Sequence, residues 1–199
     1  MDKGSAKTTH VIPKQFTDFY SPFLEAAFSA DKLEGKTKTM FLEEVDAATF
    51  GIFVHWLYTQ KIETSSGTVF DFPSQLELGK LWMLAQRFKI PRSQNEIMTI
   101  LKVRGLSFIQ ANISKEFLEF AYSRDGEDNP LKRFAVDSVL ANFQTHNLNE
   151  TMKMIPEKML RDFGRELATL NLGKVQGEGF GGRTLGRSLS YYDVNIESD

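Results

Sequence analysis

The chain has 199 residues, a formal net charge of −2 at pH 7 and no cysteine. The missing cysteines exclude disulfides, thiolate metal sites and cysteine nucleophiles, and the small net charge gives no field that favours nucleic acid or a membrane surface. Residues 1–9 show no apolar secretory signal, and no apolar run approaches the length of a membrane span. We therefore expect an intracellular protein, cytoplasmic or nuclear, with an aromatic core built from its 17 phenylalanines.

The N-terminal region predicts short elements. Residues 1–7 are small and charged, which predicts a disordered N-terminus, and residues 8–12 are a candidate strand. A short helix is expected over residues 14–19, with Phe16 and Phe19 among its apolar side chains. Small domains rarely bury every aromatic side chain, so Phe16 and Phe19 are candidates for an interface.

A helix, a loop, a strand and a second helix are predicted next. Ser21-Pro22 marks a helix start, because proline suits the first turn, where its missing N–H costs nothing. The polar stretch 30–38 predicts a loop, and residues 39–42 alternate in the manner of a short strand. Asp46 stands at an N-cap position. The helix after it has one apolar face, formed by Phe50, Phe53, Val54 and Leu57.

Two more helices are expected before residue 108. Ser74 to Glu77 match the S-x-x-E capping box, which begins a helix that runs to about Lys89. The apolar stripe of this helix comprises Leu78, Leu81, Trp82 and Ala85. Pro91 begins the next helix, whose inward-facing residues include Ile97, Ile100 and Leu101.

The second half of the chain predicts an all-helical extension over residues 109–172. In its last helix, which begins at Pro156, the predicted apolar face comprises Met159, Leu160, Phe163 and Leu167. Residues 173–199 hold six of the 14 glycines, and their large apolar residues are scattered. This composition predicts a disordered tail that is dispensable for folding.

No catalytic, cofactor or metal site is predicted. Gly177, Gly179 and Gly182 match G-x-G-x-x-G, but a dinucleotide site needs a strand before these glycines and a helix after them. The histidines lack metal-ligand spacing, and they are His10, His55 and His146. Ser21 lacks the context of a nucleophile. An enzyme without a recognisable motif stays open as the rival interpretation from another functional class.

The order of residues in the first half resembles the BTB/POZ domain. Ser21-Pro22-Phe23, Ala26-Ala27-Phe28 and the stretch 53–62 fall in register with that family, and the nearest likeness is to short fungal BTB proteins. The resemblance covers about residues 10–105. It implies an α+β core over residues 8–108, a small sheet with helical hairpins that lacks the family's usual first strand. It also implies a non-enzymatic protein-interaction module, an adaptor or self-association domain without cofactor.

The resemblance also implies partner-binding residues. Family members that bind cullins commonly carry an apolar residue, any residue and then glutamate after the S-P-F helix, and by register these positions are Lys32, Leu33 and Glu34. Lysine in an apolar position predicts that a cullin contact loses on the order of 1–3 kcal/mol. A substrate receptor of a cullin-type ubiquitin ligase is therefore the alternative function. Relatives dimerise through the first helix and an exchanged strand, so we expect a weak dimer through Phe16 and Phe19.

Overall fold

The computed structural model describes residues 8–63, 73–107, 113–123, 129–142, 148–172 and 188–194. The chain divides into two compact units, residues 1–93 and residues 94–199. The described residues of the first unit contain the helices α1 (Lys14–Tyr20), α2 (Pro22–Ala27), α3 (Leu33–Thr37), α4 (Ala47–Thr59) and α5 (Gln75–Arg87). A sixth helix, α6 (Pro91–Ser107), begins in the first unit, and its residues from Gln94 onward belong to the second.

Side-chain caps fix where α2, α4 and α5 begin. The hydroxyl of Ser21 accepts a hydrogen bond from the main-chain N–H of Leu24, and the carboxylate of Asp46 accepts one from Thr49. At α5 the predicted capping box is present, because Ser74 and Glu77 each bind the other's main-chain N–H. These caps satisfy N–H groups that have no partner inside the helix.

Helix α4 supplies the centre of the first core. Phe53 is fully buried, and its ring packs against Trp56 at 6.4 Å and against Phe88 at 5.1 Å between centroids. The buried face is displaced from the predicted one, because Ile52 and Trp56 are buried while Phe50 is half-buried. The prediction that Phe53 belongs to the core is confirmed.

The predicted α+β class is wrong for the part of the chain that the structure describes, because those residues form helices and connecting segments and no strand or sheet. Residues 39–42 form an irregular connection before α4, and residues 8–12 are irregular as well. A strand needs a neighbouring strand to pair its N–H and C=O groups, and alternation of side chains along one segment does not provide that neighbour.

The described residues of the second unit form helices joined by short connections. Beyond α6 it contains α7 (Lys115–Ala121), α8 (Pro130–Asn142), α9 (Leu148–Met154), a 3-10 turn (Glu157–Met159) and α10 (Leu160–Leu172). Helix α8 packs on both α7 and α10, and the Phe117 ring meets the Phe134 ring edge to face at 5.9 Å. Of the face predicted for the last helix, Met159 and Phe163 are buried and Leu160 is partly exposed.

Part of the predicted disordered tail is packed on the second unit. Residues 188–194 contain a 3-10 turn (Leu189–Tyr191), and the Tyr192 side chain is 2% exposed. The expectation of a tail without packing is therefore wrong for these seven residues. Residues 173–187 and 195–199, and with them the glycine motif at Gly177, lie outside the described residues.

Candidate protein-interaction surface

Large apolar side chains project from the first unit into solvent. The exposed fractions are 86% for Val11, 78% for Phe19, 77% for Phe41 and 71% for Leu33, and Tyr58 is 47% exposed. Single exposed apolar residues are ordinary on protein surfaces, but several on one small unit are typical of a binding surface. Two groups among them coincide with the residues that the sequence predicts for partner contacts.

The first group lies along α1, and we define the α1 surface as Val11, Phe16, Phe19 and Tyr58. The Phe16 ring packs against the Tyr58 ring at 4.8 Å between centroids, and the Tyr58 hydroxyl donates to the main-chain oxygen of Val11 at 3.4 Å. Phe16 is consequently half-buried, whereas Phe19 stays accessible. The structure thus brings the two predicted interface residues onto one short helix with different exposure.

Phe19 is held in its exposed position by a chain of aromatic contacts. Its ring meets the Tyr20 ring edge to face at 4.8 Å, and the Tyr20 ring packs at 5.5 Å from the ring of buried Trp56. Edge-to-face ring pairs of this kind contribute about 0.5–1.5 kcal/mol beyond the area they bury. Phe19 is therefore presented from an anchored helix, which lowers the entropic cost of using it in a contact.

The second group lies at the start of α3, and we define the α3 surface as Lys32, Leu33 and Glu34. Lys32 is the N-cap residue and makes no side-chain cap, Leu33 is the first helical residue, and Glu34 is half-buried. The three predicted partner-binding residues are therefore contiguous at one helix start. Leu33 is the apolar side chain of the three, and it is exposed to solvent.

Helix α3 replaces part of the loop predicted over residues 30–38. A Cβ atom added to Gly35 would lie 1.8 Å from the carbonyl oxygen of Ser29, so the glycine allows α3 to approach the end of α2 closely. The turn before α3 is fixed by a hydrogen bond of 2.6 Å from the Ser29 hydroxyl to the Asp31 carboxylate, which lowers the pKa of Asp31. Lys38, in the left-handed region at φ 53°, ends the helix.

The side chains considered for catalysis or metal binding do not come together in the described residues. The His10 ring packs edge to face on Phe50 at 5.2 Å, and His55 Nε2 lies 3.9 Å from a Glu63 carboxylate oxygen. His146 lies outside the described ranges. The described residues hold no group of three histidine, aspartate or glutamate side chains able to bind a metal ion, and no helix among them is both long and apolar enough to cross a membrane.

Comparison with known proteins identifies the first half of the chain. Residues 14–105 match the family model of the BTB/POZ domain. Kelch-like protein 40 of Xenopus tropicalis is 34% identical over 71 residues, which are 36% of this chain and 10% of the relative, and Kelch-like protein 40 of Xenopus laevis gives the same values. The chain thus aligns with about a tenth of the length of these curated relatives, and no solved structure matches it.

Residues 14–105 therefore form a BTB/POZ domain, and the resemblance predicted from the sequence is confirmed over this range. The match points to a family of protein-interaction adaptors and not to a family of enzymes. The residue assignments at the α1 and α3 surfaces stay predictions.

Proposed function

We propose that this chain is an adaptor whose BTB/POZ domain binds a protein partner through the α3 surface and a second copy of itself through the α1 surface. The observation that carries the proposal is the exposure of Phe19 and Leu33 at the two positions where the sequence predicts partner contacts. Burying a large apolar side chain at an interface contributes about 1.5–3 kcal/mol when burial is complete. Similarity to short fungal BTB proteins is part of the same proposal.

Affinity purification from native cells with quantitative mass spectrometry tests the adaptor function. We expect Leu33→Asp to remove one set of co-purified proteins, because an aspartate in an apolar contact must be desolvated. Met152→Asp is the matched control, since Met152 is 40% exposed on α9, outside the BTB/POZ range. An identical set of partners for wild type, Leu33→Asp and Phe19→Asp would contradict the proposal.

A more specific function within the same proposal is that of substrate receptor for a cullin-type ubiquitin ligase. It is supported by Glu34 together with exposed Leu33 at the start of α3. The family register puts Lys32 in the apolar position, but Leu33 is the side chain available to an apolar pocket. We propose that Leu33 makes the apolar contact with the cullin and that Glu34 supplies the acidic one.

Calorimetric titration of the purified chain with a cullin scaffold distinguishes the two registers. If Leu33 makes the contact, Leu33→Asp should weaken binding at least about 10-fold and Lys32→Met should change it little. If Lys32 occupies the apolar position, Lys32→Met should strengthen binding by about 10-fold or more, since the cost of burying an ammonium group is removed. The cullin function is contradicted if neither the wild type nor Lys32→Met binds the cullin at high micromolar concentration. That result would not contradict the adaptor function.

A further inference from the structure

The packed residues 188–194 make contacts with the second unit that resemble those of a bound peptide. The amide side chain of Asn95 pairs with both main-chain groups of Val194: its Nδ2 donates to the Val194 oxygen at 3.0 Å, and its Oδ1 accepts from the Val194 N–H at 2.7 Å. A neighbouring strand would offer the same donor and acceptor pair. Asn95, on α6, therefore binds the main chain of the segment and holds it in one register.

Helix α8 binds the segment at Tyr191, three residues before Val194. Arg133 donates from Nη1 to the main-chain oxygen of Tyr191 at 2.5 Å, and its guanidinium carbon lies 5.2 Å from the centre of the Tyr191 ring. The arginine thus contacts the main chain and an aromatic face together. A guanidinium stacks on aromatic rings more readily than an ammonium group, which favours tyrosine or another aromatic residue at this position.

Tyr192 occupies a socket between α6 and α8. Its ring meets the Phe134 ring edge to face at 6.3 Å, and Lys102 Nζ lies 5.7 Å from its centre. At the end of the socket the phenol donates a hydrogen bond of 2.5 Å to the carboxylate of Asp137, a side chain that is 2% exposed. A buried carboxylate that accepts from the phenol selects tyrosine over phenylalanine, because the loss of the hydroxyl would leave the carboxylate less well satisfied.

We propose that α6 and α8 form a peptide-binding groove for a Tyr-Tyr-Asp-Val segment, and that residues 188–194 of the same chain occupy it as a detachable ligand. The inference is independent of the function proposed for residues 14–105. The contacts combine main-chain recognition by Asn95 and Arg133 with a specific socket for one aromatic side chain, which is how folded domains bind linear segments. The sequence between α10 and the segment, residues 173–187, has the glycine-rich composition of linkers.

Covalent attachment of the segment explains how a groove of moderate affinity stays occupied. A segment joined by a short linker acts at an effective concentration on the order of millimolar, so an intrinsic affinity in the micromolar range keeps the groove filled. A free copy of the segment must compete with that concentration. The groove is therefore closed to a second copy of the chain until the resident segment leaves.

Cutting the tether in the full-length protein tests the proposal. A protease-cleavage sequence is inserted between Gly181 and Gly182, and the folded protein is cleaved afterwards. We call the cleaved protein without its C-terminal fragment, residues 1–181, the body. We expect the fragment that carries residues 188–194 to dissociate on dilution while the circular dichroism spectrum of the body stays unchanged. A fluorescent synthetic peptide of residues 186–196 should then bind saturably to the vacated body, and at least about 100-fold more weakly to uncut protein.

Peptide variants provide controls that cannot disturb the folding of the body. Phenylalanine in place of Tyr192 in the peptide should weaken binding about 10-fold, through loss of the hydrogen bond to Asp137.

Variants of the body test the groove itself. Asn95→Ala should weaken binding of the peptide, whereas Val103→Ala, at a half-exposed position of α6, should not. The proposal is overturned if the body unfolds when the fragment leaves, if the fragment stays bound at nanomolar concentration, or if the peptide fails to rebind or binds equally well with phenylalanine.

Discussion

The hydroxyl of Ser21 donates a hydrogen bond of 2.6 Å to the main-chain carbonyl of Phe88, 67 residues further along the chain. The same hydroxyl accepts from the N–H of Leu24 at 3.0 Å and so caps α2. Ser21 has no exposed surface. One buried side chain therefore fixes the start of α2 and joins it to the residue that follows α5.

Replacing Ser21 by alanine should lower the free energy of unfolding by about 1.5–5 kcal/mol. The loss combines an N-cap, about 0.5–2 kcal/mol, with the desolvation of the Phe88 carbonyl left without this donor, about 1–3 kcal/mol. Ser74→Ala is the matched control, because Ser74 caps α5 at an exposed position and should cost only about 1 kcal/mol. Urea unfolding monitored by circular dichroism measures both, and equal losses would contradict the role given to the Phe88 contact.

Gly35→Ala should destabilise the first unit by about 1–3 kcal/mol, because its methyl group would overlap the Ser29 carbonyl and push α3 away from α2. Gly51→Ala is the control, since a Cβ there has no atom within 4 Å and α4 gains helix propensity of about 0.5–1 kcal/mol. Opposite signs of the two changes in thermal unfolding are expected. A neutral Gly35→Ala would mean that α3 does not pack as closely as described.

The contribution of Asp46 to the free energy of unfolding should depend on pH. Burial raises the pKa of this carboxyl, but hydrogen bonds from the Thr49 N–H at 2.9 Å and from Lys80 Nζ at 3.0 Å outweigh burial and hold the pKa below its ordinary value of 3.8. Because the folded-state pKa is lowered, the contribution is fully present above the ordinary value and is lost as the pH falls through the folded-state value.

Urea unfolding of wild type and Asp46→Asn at several pH values measures this contribution. The difference in free energy of unfolding should be constant from about pH 6 to pH 5 and should shrink below about pH 4. Lys80→Met removes one of the hydrogen bonds and should make the acid dependence smaller. A difference that stays constant down to pH 2.5 would show that the carboxylate charge contributes nothing.

The sequence predicted those features that depend on contacts between residues close together in the chain. The helix start at Ser21-Pro22, the N-cap Asp46 and the capping box at Ser74 each depend on N–H groups within three residues, so these patterns are visible in the sequence and are confirmed. The alternation at residues 39–42 was also local, but a strand requires a partner that no residue pattern of that segment supplies. The BTB/POZ resemblance succeeded over residues 14–105 because it used the order of many residues together.

Contacts between distant residues escaped prediction. Tyr192 and Asp137 are separated by 55 residues, and neither stands in an apolar periodic pattern that would mark it as buried. The need for glycine at position 35 depends on the carbonyl of Ser29 in the preceding turn, and glycine in a polar stretch is equally typical of a loop. In both cases the decisive atom belongs to another segment, so the residue type alone carries no information about it.

The weak dimer predicted from the sequence should depend on Phe19. Within the described residues the segment 8–12 forms no strand, so we expect the α1 surface to make the dimer contact without an exchanged strand. A contact made by one short helix is expected to bury less than about 1,200 Å² in total, the range of transient complexes. We therefore expect a monomer at low concentration and a dimer that forms in the micromolar range or above.

Light scattering from nanomolar to high micromolar protein measures this equilibrium. Phe19→Asp should abolish the dimer with only a small loss of stability, because the side chain is 78% exposed and its ring contact is with Tyr20. Phe16→Asp should also abolish it, but with loss of stability, since Phe16 packs on Tyr58. Phe41→Asp, at an equally exposed position outside the α1 surface, is the control and should dimerise like wild type. A dimer that persists at nanomolar concentration, or one that Phe41→Asp disrupts and Phe19→Asp spares, would place the interface elsewhere.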